Sequence, residues 1–119
     1  MRPHKNLIVW KESISFVKDI NKLTNQLPDT EKFGLISQLK RASVSIPTNI
    51  SEGAARSTKK EFVYFLYISS GSLSEVDTLL TIAENLEYIS KTDLENCEKK
   101  TGTISALLNG LIKKLKSEL

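Results

Sequence analysis

Residues 41–75, RASVSIPTNISEGAARSTKKEFVYFLYISSGSLSE, decide how the chain is read. Apolar residues recur through this stretch at helical spacing, yet a proline and a dense set of small polar residues sit among them. On its N-terminal side Ile36, Leu39, Ser43, Ile46, Ile50 and Gly53 follow one face of a helix that Asp29 or Thr30 can cap. Pro47 lies inside that helix, where it removes one backbone N–H and crowds the carbonyl of Ser43, so a kink or a break is expected there. Thr58 and Glu61 have the spacing of a capping box, in which each side chain satisfies a free backbone N–H of the other. They open a third helix that runs to about residue 88.

Along the third helix Phe62, Phe65, Leu66, Leu73, Val76, Leu80 and Ala83 form one stripe, and Tyr64, Ile68, Gly71, Ile82 and Ile89 widen it sideways. One helix of an isolated bundle needs to bury a stripe only somewhat over about 100° wide. The wider arc predicts a second buried contact, with another subunit.

Working outward, Trp10, Ile14, Val17, Ile20, Leu23 and Leu27 recur every three or four positions and predict a first helix over residues 8–26, ended by Pro28-Asp29. Leu94, Cys97, Thr101, Ile104, Leu108, Leu111 and Leu115 form a coiled-coil-like seam for a fourth helix, after a short connection at residues 88–92. No strand-like alternation, low-complexity tract or tandem repeat is present. Short connections favour antiparallel neighbours, so the fold class is all-α. The expected architecture is an antiparallel up-down-up-down four-helix bundle, one domain over residues 1–119, with the second helix kinked or broken near Pro47.

The 119 residues are 39% hydrophobic and 26% charged, which suits one soluble helical core with solvated faces. The single Cys97 falls on an apolar stripe and reads as a core residue. No apolar run reaches the ~18 residues a membrane span requires, and the N-terminal MRPHKNLIVWKES lacks an h-region, so a cytoplasmic protein with no membrane partner is expected. The one histidine, His4, lies in a segment expected to fray, and no Glu-x-x-His pair or phosphate-binding glycine loop occurs. No catalytic residue, metal ligand or cofactor is therefore assigned, and the chain reads as a non-enzyme.

Polar side chains carry the remaining signal. Arg41, Ser45, Thr48, Asn49, Glu52 and Arg56 share one face of the second helix, and Ser, Thr and Asn there make short directional hydrogen bonds at the cost of helix propensity. That face reads as a contact face. The candidates for a subunit interface are Ser45, Asn49, Glu52, Tyr64, Ile68, Gly71 and Glu75. Lys40, Arg41, Arg56, Lys59 and Lys60 are the candidates for binding RNA or DNA phosphates. A second basic cluster, Lys113, Lys114 and Lys116, suits a helix C-terminus and reads as structural. Net charge is +3 but segmented: residues 31–62 carry +3, residues 71–98 carry −6 and residues 99–119 carry +4. Such a chain can attract a polyanion or pair basic surface with acidic surface of another protein.

LKRASVSIPTNISEG followed by ARSTKKEFVYFLYISSGSLSE resembles the signature of the four-helix-bundle proteins encoded in intervening sequences of bacterial 23S ribosomal RNA genes. The residues that carry the resemblance are Arg41, Ser45, Pro47, Asn49, Ile50, Glu52, Gly53, the Glu61-Phe62 pair, Gly71, Ser72 and Glu75, with an early pattern matched by Leu7, Val9 and Trp10. The resemblance implies antiparallel bundles that associate into ring-shaped homopentamers. It also implies association with nucleic acid, because a related branch, the accessory variability protein of diversity-generating retroelements, works with a reverse transcriptase and RNA. Two roles follow: a homo-oligomeric scaffold that binds nucleic acid electrostatically, or a protein-interaction module whose basic residues serve assembly.

Overall fold

A computed structural model describes residues 3–119. Four long helices account for most of them: α1 (Ile8–Leu23), α2 (Leu35–Ala54), α3 (Lys59–Asn85) and α4 (Lys91–Ser117). Short 3-10 turns at Pro3–Asn6, Thr24–Gln26 and Asp29–Glu31 flank α1 and lead into α2, and no strand is present among the described residues. His4, expected to fray, is half-buried in the first of these turns with its ring edge-on to Trp10 at 5.0 Å.

The face that α1 buries is Val9, Ser13, Phe16, Ile20 and Leu23. This corrects the expected stripe through Trp10, Ile14 and Val17, which lies to one side of it: Trp10 and Val17 are half-buried and Ile14 is exposed. Ser13 enters the core because its hydroxyl donates to the carbonyl of Trp10 at 2.8 Å, so the polar group is satisfied without water.

The start of α2 also departs from expectation. Asp29 and Thr30 lie in the 3-10 turn, and Gly34 holds the N-cap position without a side-chain cap. Glu31 takes over the capping: Oε1 accepts from the backbone N–H of Leu35 at 3.2 Å while Oε2 accepts from the Tyr88 hydroxyl at 3.1 Å. One carboxylate thus ties the start of α2 to the chain just beyond α3. That hydrogen bond and the carboxylate's charge hold the Tyr88 phenol above its ordinary value.

No break occurs at Pro47. The helix is continuous over Leu35–Ala54 with the proline inside it and buried. A mid-helix proline costs about 3 kcal/mol, and here the residues on either side, Ser43, Ile46 and Ile50, are all fully buried against neighbouring helices. The buried Ser69 hydroxyl of α3 donates to the Ile46 carbonyl at 2.9 Å, binding α2 to α3 beside the proline.

At the start of α3 the Thr58 hydroxyl oxygen accepts from the Glu61 N–H at 3.2 Å and the hydroxyl donates to Glu61 Oε1 at 3.0 Å. The full reciprocal box belongs to α4, where Ser90 and Asp93 each accept from the other's backbone. The third helix stops at Asn85, earlier than expected. Its core face is Val63, Leu66, Ser69, Leu73, Val76, Leu79, Leu80 and Ala83, with Phe62 and Phe65 only half-buried and Ile89 buried beyond the helix. In α4 the core residues are Cys97, Thr101, Ile104, Leu108, Ile112 and Leu115.

Contacts across neighbouring helices run in opposite senses. Gly53 meets Phe62 and Phe65 while Ser45 meets Ser72; Lys59 meets Glu118. On the other side Leu7–Val9 border Leu107 and Leu111, while Leu23 borders Cys97. Helix α2 makes its most extensive contact with α3, and α1 packs on α2 and α4, diagonally across from α3. The bundle measures 46 × 23 × 21 Å. No described helix is long and apolar enough to cross a membrane.

Candidate nucleic-acid and subunit surfaces

The polar face of α2 turns toward α3 and forms a seam. Ser45 and Ser72 hydroxyls lie 2.8 Å apart, and Asn49 Nδ2 donates to both the carbonyl and the hydroxyl oxygen of Ser45, at 2.8 and 2.9 Å. Ser45 and Asn49 are half-buried with their hydrogen bonds made inside the chain. Further along, Glu52 pairs with Arg56 at 2.7 Å, and the Arg56 guanidinium lies 4.9 Å from the centre of the Phe65 ring. At the other end of the seam Gln38, Arg41, Ala42, Ser45, Ser72 and Glu75 line an open groove of about 330 Å³. Among the described residues the ion pairs are Arg56–Glu52, Lys59–Glu118 and Lys100–Asp19. Arg41 and Glu75 enter none of them.

The five basic candidates do not form one cluster. Lys40 lines a different groove, between α2 and the turns that follow α1, with Lys32 and Asp29. Arg41 stands at the α2–α3 groove. Arg56, Lys59 and Lys60 lie at the α2–α3 connection, and what joins them comes from the far end of the chain. Lys59 bonds Glu118 at 3.0 Å, and Lys116 Nζ donates to the Tyr67 hydroxyl at 3.3 Å, 5.9 Å from its ring centre. Lys113 and Lys114 are exposed on the same last turns of α4. The Lys59 hydrogen bond, its charge and the charge of Lys114 hold the Glu118 carboxyl below its ordinary value of 4.5. Lys113, Lys114 and Lys116, read from the sequence as a helix-end feature, therefore lie at the same end of the bundle as Arg56, Lys59 and Lys60. Only the spatial return of α4 reveals this, since the two groups are more than 50 residues apart in sequence.

Of the interface candidates on α3, Tyr64 is 61% exposed, Ile68 is half-buried, Gly71 has open space beside its α-carbon, and Glu75 is exposed. The alternating spacing of four and three extends to Thr78 and Ile82, so Tyr64, Ile68, Gly71, Glu75, Thr78 and Ile82 run as one seam along the outer side of α3. Residues 62–74 contain no charged side chain. Sequence reading missed the contact of Tyr67 with Lys116, and a second apolar surface on the α1–α2 side where Trp10, Ile14, Val17, Val44 and Pro47 line a groove. The signal for the groove was Ser13, whose place in the core turns Ile14 outward.

Cys97 is buried, and loss of solvent pushes its thiol up to about 11. Among the described residues no three His, Cys, Asp or Glu side chains are grouped to hold a metal ion.

These features define an all-helical bundle with a polar α2–α3 seam and a concentration of basic side chains at one end. The chain belongs to the 23S rRNA-intervening sequence protein family, whose model matches residues 5–110. It is similar to a crystal structure of a protein of unknown function from the S23 ribosomal protein family of Bacteroides thetaiotaomicron, with 27% identity and a TM-score of 0.82 over 89% of this chain and 99% of that one. Among curated proteins no similar chain is found.

Proposed function

We propose that the protein is a non-enzymatic, homo-oligomeric helical bundle that binds RNA weakly and electrostatically through its basic end. The observation that supports this reading is the tie between Glu118 and Lys59, which brings the end of α4, with Lys113, Lys114 and Lys116, to the end of the bundle that carries Arg56, Lys59 and Lys60. Phosphates meeting this surface also face the N-terminus of α3, whose free amides attract anions. The exposed Tyr67 beside Lys116 adds an aromatic face on which a base can stack without sequence preference. One protomer offers few phosphate-binding groups, so useful affinity depends on several copies acting together, as in the pentamer the family resemblance implies.

The test is size-exclusion chromatography with light scattering, with and without bulk bacterial RNA, at low and physiological salt. RNA should co-migrate at low salt and leave as salt rises. In a Lys60→Glu, Lys114→Glu variant the plot of log affinity against log salt should become shallower by about 0.7 for each single-strand phosphate that is no longer neutralised, with particle mass unchanged. Unchanged binding in that variant would overturn the assignment to the basic end.

A second reading has its own observation. Arg56 and Lys59 already hold carboxylates of the same chain, Glu52 and Glu118. A particle that ignores RNA at low salt would leave the protein as an assembly module whose partners are proteins.

A further inference from the structure

Two separate apolar surfaces are exposed on the bundle. One is the outer seam of α3, where Tyr64 and Ile82 are exposed and Glu75 is the single charge on the seam between them. The other is the α1–α2 groove, of about 260 Å³, bordered by Trp10, Ile14, Val17, Val44 and Pro47, with Ile14 45% and Val44 46% exposed. Since α1 stands diagonally across from α3, these surfaces point in different directions. They also differ in charge. Lys11 and Lys18 lie one turn either side of Ile14 on the exposed side of α1, and neither has an ion-pair partner among the described residues. Glu75, on the α3 seam, has none either.

We infer that the outer seam of α3 docks into the α1–α2 groove of a second copy of this chain, with Glu75 of one copy facing Lys11 and Lys18 of the next. The second copy is the occupant because each surface carries what the other lacks. One is a convex, nearly uncharged helix with large knobs at Tyr64, Ile68 and Ile82 and a single carboxylate. The other is a concave apolar groove edged by lysines. Two α3 seams meeting face to face would oppose Glu75 to its own copy, and two grooves would oppose lysines. The contact is therefore heterologous, which leaves a docked pair with one free seam on one copy and one free groove on the other and closes only as a ring. The polar α2–α3 seam stays an internal feature of each subunit, and Ser45 and Asn49 keep the partners they already have.

This inference rests on the homo-oligomer proposed above, and a mixing experiment without RNA separates the two. One variant blocks the seam, Tyr64→Arg with Ile82→Arg; the other blocks the groove, Ile14→Arg with Val44→Arg. All four side chains are at least 40% exposed, so the fold should survive, as circular dichroism will check. If either variant loses its helical signal, Tyr64→Ser with Ile82→Ser, or Ile14→Ser with Val44→Ser, replaces it. By light scattering the wild type should be an oligomer and each variant alone a monomer. The two variants mixed should give a dimer and nothing larger, since the mixture contains one intact seam and one intact groove that can meet. A groove variant that keeps the wild-type mass, or a mixture that stays monomeric, overturns the heterologous docking while the homo-oligomer stands. A monomeric wild type overturns both.

Discussion

Glu87 is the one described residue other than glycine with a left-handed backbone, at φ 63°. It sits just past α3, where the N–H of Tyr88 donates to the Ala83 carbonyl and that of Glu87 to the Glu84 carbonyl, both at 2.9 Å. This is the two-bond ending that helices usually build with glycine, because a β-carbon is crowded in that conformation. Glu87→Gly should therefore raise stability by about 0.5–1 kcal/mol, read as a higher denaturant midpoint with unchanged slope. An unchanged or lower midpoint would mean that glycine's extra freedom in the unfolded chain outweighs the relieved crowding. Single residues also explain where hydrophobic spacing misleads. Ser13, Ser43, Ser69 and Thr101 are all buried, and all have their hydroxyls bonded to a main-chain carbonyl. Spacing placed Ser43 and Thr101 on inward faces but passed over Ser13 and Ser69, which is how Ile14 came to stand in for Ser13 on the buried face of α1.

Among the elements, α2 and α3 share the most extensive contact, and Gly53 allows their close approach at one end. A β-carbon on Gly53 would come within 2.8 Å of the Phe65 β-carbon, 2.9 Å of the Phe62 ring and 3.2 Å of the Phe62 carbonyl oxygen. Two of these neighbours are the helix itself, so they give way only if α2 and α3 move apart. Gly53→Ala should cost about 1–3 kcal/mol in a denaturant titration despite alanine's better helix propensity. A gain instead would show that the helices separate easily at this end. The position of Gly53 on the inner face was legible from spacing, and so was Pro47 inside α2. That the proline leaves the helix unbroken was not legible, because the decision rests on the packing of Ser43, Ile46 and Ile50 against other helices.

For the whole molecule, folding turns a charge pattern along the chain into a pattern along the bundle. The ends of α2 and α4 and the start of α3 bring Arg56, Lys59, Lys60, Lys113, Lys114 and Lys116 together, while Glu84, Glu87, Asp93 and Glu95 lie toward the opposite end. Glu118, like Glu52 and Glu61, is a carboxylate set among the basic side chains, and its lowered value fixes the sign of a pH effect. The Lys59–Glu118 tie is fully present above the ordinary carboxyl value of 4.5 and is lost as pH falls through the lower value of the folded state. An NMR titration should show the Glu118 carboxyl titrating below 4.5, with amide protection in the last turn of α4 falling over the same range. In Lys59→Gln the Glu118 titration should move back up toward that value.

Helix number, most of the inward residues of α4 and the small-residue face of α2 were determined by the sequence alone, because helical periodicity, capping residues and proline are local in their physics; in α4 the structure buries Ile112 where spacing gave Leu111, which is half-buried. The resemblance was likewise carried by residues close together in the chain. The tertiary structure decided that Ser13 and Ser69 lie inside, that Glu31 rather than Asp29 or Thr30 caps α2, and that two distant lysine groups share one end of the bundle. Each of those outcomes depends on contacts between helices remote in sequence, where a hydroxyl finds a carbonyl or a carboxylate finds a lysine only after the core has closed.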